Sequence, residues 1–117
     1  MTLKLYGIPN CNTVKKARTY LEEQGVEYEF IDFKKHGAQA SDLQQWCHKF
    51  GWEKVINRAG MTWRKLDDTT KENIHSDADA IALAQEKTSI IKRPVLVKNG
   101  EAKLLGFKQD EYEAFLS

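Results

Sequence analysis

The chain has 117 residues, about one domain, with 41% hydrophobic and 30% charged side chains. Eighteen Lys and Arg against seventeen Asp and Glu leave a net charge of +1, which excludes a strongly basic nucleic-acid footprint and an acidic tail. Three Trp, four Tyr and five Phe supply core material that a disordered chain lacks.

Leu3-Lys4-Leu5-Tyr6 alternates and predicts a short strand ending at Gly7. Gly7 to Cys11 contains Pro9 and Asn10 and reads as a turn. Val14, Ala17 and Leu21, three and four apart, predict a helix from about Asn12 to Gln24. Gly25 is placed to end it in the left-handed conformation. The run Tyr28 to Phe33 predicts a second strand, and the β-α-β order makes the two strands parallel.

The middle reads as helical. Ser41 is the expected cap of a helix bearing Leu43, Trp46, Cys47 and Phe50 on one face. Trp52, Val55 and Ile56 suggest another helical turn, and Asn57 to Gly60 a loop. Thr62-Trp63-Arg64-Lys65-Leu66 leads to Asp67 to Thr70, where a further short helix can open. Ser76-Asp77-Ala78-Asp79 resembles a capping box for a helix to about Lys87, with Ile81 and Ala84 inward.

The pattern then changes. Pro94 to Val97 is a β-branched run, Lys98-Asn99-Gly100-Glu101 a hairpin turn, and Ala102 to Gly106 its return strand. Asp110 to Leu116 reads as a terminal helix with Tyr112, Phe115 and Leu116 on one side. The order predicts an α/β protein of the thioredoxin-like (glutaredoxin) fold, residues 1–117 as a single domain. Its four-stranded mixed sheet carries a helical insertion, residues 37–91, between the second and third strands.

Two cysteines are too few for a secreted disulfide scaffold. No signal h-region and no run of membrane-spanning length is visible. The expectation is a reduced, cytoplasmic monomer without membrane or nucleic-acid partners. Cys11 stands at the start of the first helix, where unpaired N–H groups and the helix dipole favour a thiolate. Lys15 and Lys16 follow one turn later and add positive potential. The bland alternative is a small buried hydrophobe. Val14 occupies the fourth position of what would be a Cys-x-x-Cys pair, so a local dithiol cycle is excluded. Resolution then needs an external thiol, for which glutathione is the abundant cytosolic candidate. Cys47 reads as structural, because its spacing with Leu43, Trp46 and Phe50 places it on an apolar face.

In this fold the residue before the third strand is usually a cis-proline facing the cysteine. Pro94 can serve, and Arg93 would then lie near Cys11 with a guanidinium suited to an oxyanion or carboxylate. Arg58 and Arg64 lie in the insertion and, taken alone, read as exposed arginines. His36, His48 and His75 have no metal-ligand spacing, so no metal and no bound cofactor are expected.

Four segments together resemble the arsenate reductase (ArsC) family of thioredoxin-like proteins, its YffB-like branch above all. They are Leu5 to Cys11, Thr62 to Leu66, Ile91 to Pro94, and Leu104 to Phe107. The resemblance covers essentially the whole chain. It implies Cys11 as nucleophile, and Asn10, Lys15 and Pro94 join the arginines as candidate substrate-binding residues. Arg93 matches the arginine before the proline, and Arg58, or less closely Arg64, the arginine of the inserted region. It also implies glutathione as reducing co-substrate, and glutaredoxin as a partner where arsenate is the substrate. Three departures weaken an arsenate site. Arsenate reductases of the family gather the oxyanion with three arginines, and here Phe107 and Lys108 stand near the third one's position, Gly7 where several members have histidine, and Val14 where a hydroxyl-bearing residue is found. The branch implies a glutathione-dependent thiol reductase, with arsenate reduction as the alternative. Spx-type regulators share the fold and bind RNA polymerase. They commonly carry the Cys-x-x-Cys switch that Val14 removes here, so a non-catalytic binder is the alternative from another class.

Overall fold

The computed structural model describes residues 2–117. They fall into two compact units, residues 2–36 with 93–117, and residues 37–92. The chain begins with β1 (Leu3–Gly7), α1 (Asn12–Glu23), β2 (Glu29–Asp32) and one helical turn, α2 (Phe33–His36). The second unit contributes α3 (Ala40–Phe50), α4 (Trp52–Val55), α5 (Met61–Arg64), α6 (Asp68–Glu72), α7 (Asp77–Glu86) and a 3-10 turn, Thr88–Ile90. The chain closes with β3 (Val95–Lys98), β4 (Glu101–Leu105) and α8 (Gln109–Leu116).

The sheet has the order β2-β1-β3-β4. β1 is parallel to β2 and antiparallel to β3, which is antiparallel to β4. This is the mixed sheet that β-α-β followed by β-β-α requires. Leu5 pairs with Leu96 at its centre, and both are buried. All of Val95, Leu96 and Val97 are buried, so β3 reads as a continuous apolar run rather than an alternating one.

α1 packs Ala17, Tyr20 and Leu21 into a core with Leu3, Leu5, Leu96 and Tyr112 of α8. Tyr112 stands edge-on to both Tyr20 and Phe107. Its buried phenol is pushed up in pKa, first by burial and then by Glu111. Behind α1, the Gly25 N–H reaches the Glu22 carbonyl and the Val26 N–H that of Leu21, with Gly25 at φ 67°. That is a Schellman ending, for which glycine is the ordinary choice. The β3–β4 hairpin turns on Asn99 and Gly100, both left-handed, as a two-residue type I′ turn demands.

The second unit has its own core of Leu43, Trp46 and Cys47 from α3, Val55, Ile56, and Ala80, Leu83 and Ala84 from α7. An Ile56–Ile91 bridge ties its two ends, with the Lys92 N–H donating to the Val55 carbonyl at 2.8 Å. Asp67 and Ser76 cap α6 and α7 through the N–H groups of Thr70 and Asp79.

Three expectations are corrected. The second strand stops at Asp32, because that carboxylate accepts the Lys34 N–H at 2.8 Å and turns Phe33 into α2. α3 is not capped by Ser41. Its N-cap is Gln39, whose carbonyl takes the Leu43 N–H at 3.0 Å. Burial of Leu43, Trp46 and Cys47 sets the phase of this helix, and a cap preference of about 1 kcal/mol does not override it. In α7 the inward residues are Ala80, Leu83 and Ala84, and Ile81 is only half-buried.

Candidate active site

Antiparallel pairing puts the end of β1 beside the start of β3, with Tyr6 opposite Val95. The loop after β1 and the segment before β3 therefore emerge at the same end of the sheet. The first delivers Cys11 and the second Arg93. The Arg93–Pro94 peptide is cis, as expected from the sequence. Pro94 is buried, and its carbonyl accepts the Gly106 N–H at 2.8 Å.

Cys11 is the N-cap of α1, with extended backbone angles (φ −133°, ψ 124°). This position usually holds Ser, Thr, Asp or Asn, which accept an N–H from the first turn. The Cys11 side chain closes no capping bond, and the first turn contains no acidic residue. A neutral sulfur is a weak acceptor, whereas a thiolate is a full anion at the positive end of the helix. Partial burial pushes the Cys11 pKa up, but four stabilising effects outweigh it and leave the thiol below its ordinary value. In order they are the Val14 N–H, a hydrogen bond from the Arg93 side chain, the charge of Arg93, and the Thr13 N–H. Val14 and Thr13 are the third and second residues of the helix, where an N-cap group finds its donors.

The remaining residues singled out in the sequence divide between the units. Asn10 and Lys15 are exposed in the first unit, Asn10 just before the cysteine. The Lys15 backbone N–H bonds the Cys11 carbonyl at 2.9 Å, so Lys15 stands one helical turn from the thiol. Lys108 is the exposed N-cap of α8. Arg58 and Arg64 belong to the second unit. The Arg58 guanidinium lies 5.6 Å from the Trp52 ring centre, and the Arg64 carbonyl accepts from the Lys71 ammonium at 3.3 Å. Cys47, also in the second unit, is buried. Burial, then Asp77 and Glu53, raise its thiol to about 11, so it stays protonated near neutrality.

Two contributors escape a reading of side-chain chemistry. Val14 enters that reading as the missing second cysteine, yet its backbone N–H is the main stabiliser of the sulfur. Its place three residues after an N-cap is the signal that identifies it. Thr13 contributes in the same way.

A thioredoxin-like sheet with a cysteine at a helix N-terminus and a cis-proline before β3 defines a class of thiol-bearing proteins. Within that class the chain belongs to the ArsC family, whose model matches residues 6–115. It is similar to the protein YffB (PA3664) in fold and sequence, with a TM-score of 0.93 and 48% identity over 99% of this chain and 100% of that one. An arsenate reductase (ArsC) related protein from Brucella melitensis has a TM-score of 0.78 and 42% identity over 100% and 96% of the two chains. The global transcriptional regulator Spx of Streptococcus pyogenes serotype M3 (strain ATCC BAA-595 / MGAS315) is 30% identical over 97% of this chain and 84% of that protein.

Proposed function

We propose that the protein is a glutathione-dependent thiol reductase with Cys11 as its nucleophile. What carries this is the place of Cys11 at the N-cap of α1, where the Val14 and Thr13 N–H groups and Arg93 lower its pKa and favour a thiolate. In the proposed reaction the Cys11 thiolate attacks the glutathionyl sulfur of a mixed disulfide. The substrate leaves as a thiolate and takes up a proton, and Cys11 is left bonded to glutathione. A second glutathione, as thiolate, attacks that bond. It leaves as oxidised glutathione and returns the Cys11 thiolate. The substrate sulfur leaves with the electron pair of its S–S bond and is reduced from disulfide to thiol, and the incoming glutathione is oxidised to the disulfide in its place. Arg93 stabilises the sulfur anion at both ends of the cycle. With valine at position 14 and Cys47 protonated and buried, an external thiol is the natural resolving group. This chemistry places the protein in a compartment that contains glutathione.

The test is to mix the protein with glutathione mixed disulfide and read the intact mass. One glutathionyl group on the Cys11 peptide, removed by added glutathione, is the expected result. An unmodified Cys11 contradicts the reading. Arsenate reduction with glutathione and glutaredoxin is a second reading, favoured by the Brucella relative. It requires arsenate-dependent turnover that is lost in Arg93→Ala. The Spx relative favours a partner-binding role, which requires a complex that survives Cys11→Ser.

A further inference from the structure

Gly7 is the buried last residue of β1, where it pairs with Asp32 of β2. A Cβ added to it would stand 2.8 Å from one γ-carbon of Val14 and 3.4 Å from the other, and 3.7 Å from the Phe30 ring. The last is ordinary contact; the first is one that packed atoms do not make. We propose that Gly7 is a positioning residue for Cys11: only a residue without a side chain lets Val14 seat against the end of β1 and so hold the first turn of α1 at the sulfur. The inference rests on Cys11 being the working nucleophile.

Neither neighbour gives way cheaply. The strand is pinned, since Tyr6 is paired with Ile31 on one side and Val95 on the other. Val14 is fully buried, and a β-branched side chain in a helix has one strongly preferred rotamer. The displacement therefore falls on the start of α1, whose backbone carries the donors. Val14 supplies both the γ-carbon that meets Gly7 and the N–H that contributes most to the thiolate, ahead of Arg93 and Thr13. Position 7 thus acts on the cysteine through the same residue that serves it. Burial alone pushes this thiol up, so loosening that donor leaves the opposing effect in place.

The experiment is the pH dependence of iodoacetamide alkylation of Cys11, which reads the thiol without requiring turnover. Gly7→Ala is expected to raise the apparent pKa by about half a unit or more, an approximately threefold loss of rate below both values. Adding Val14→Ala removes both γ-carbons and is expected to bring the profile of the double variant back toward wild type. An unchanged profile in Gly7→Ala, or a double variant that stays with the single one, overturns the proposal. Should Gly7→Ala fail to fold, Val14→Ala is compared with the double variant. Equal profiles support action through Val14, and a higher pKa in the double variant overturns it. A chain that shows these shifts yet never accepts glutathione refutes the proposed activity and leaves the positioning role standing.

Discussion

Arg93 lowers the pKa of Cys11 from the segment before β3, not from the helix that carries the cysteine. Two elements with separate connections in the chain therefore converge on one thiol. Removing either has its own measurable consequence.

Arg93→Ala removes the donor group and the full charge that lower the Cys11 thiol, so its apparent pKa rises. Alkylation below the pKa slows by about tenfold per unit of rise. Arg93→Lys keeps the charge without the planar fork and is expected to fall between the two. Alkylation rates against pH for the three proteins check this ordering.

The lowered thiol also couples to folding. Between the native pKa of Cys11 and the unfolded thiol value of about 8.5, the unfolded state holds a proton that the native state lacks. Stability contributed by Cys11 therefore rises with pH through this window. It is lost as pH falls through the native pKa. The difference in urea stability between wild type and Cys11→Ser is expected to grow over the same range and then level off.

Cys47 has the opposite sign. Its native pKa is raised to about 11, so above about 8.5 the unfolded state loses a proton that the native state keeps. Its contribution falls with pH toward 11. In a thiol titration the native protein is expected to show one fast group, Cys11, and a second only in denaturant. Two fast native thiols would contradict the buried placement.

Tyr112 is fully buried and edge-on to two aromatic rings. Tyr112→Ala is expected to cost roughly 3–5 kcal/mol through lost burial and a cavity. Tyr112→Phe loses only a long 3.4 Å bond to the Gly106 carbonyl, and about 1 kcal/mol or less is expected. In the second unit, Ser76→Ala removes the cap of α7 and is expected to cost about 1 kcal/mol. Urea unfolding of the three variants checks these values.

Local signals made much of the first unit legible. Asn99-Gly100 announces the hairpin, Gly25 the end of α1, and Arg93-Pro94 the segment before β3. Cys11 at a helix start was legible for the same reason, since an N-cap is a local position. What escaped depends on distant partners. The apolar run through Phe33 reads as extended, but β1 offers β2 only four partners, Lys4 to Gly7, and Asp32 then turns the chain. The Ile56–Ile91 bridge joins segments with no shared pattern. The Gly7–Val14 contact is a matter of tenths of an ångström between a strand and a helix, which no spacing rule reports.

The most direct test of the account is NADPH consumption coupled through glutathione and glutathione reductase, with a glutathione mixed disulfide as substrate, for wild type and Cys11→Ser. Wild type is expected to turn over in a way that depends on glutathione and is lost in Cys11→Ser. Equal rates in the two proteins, or no dependence on glutathione, would contradict it.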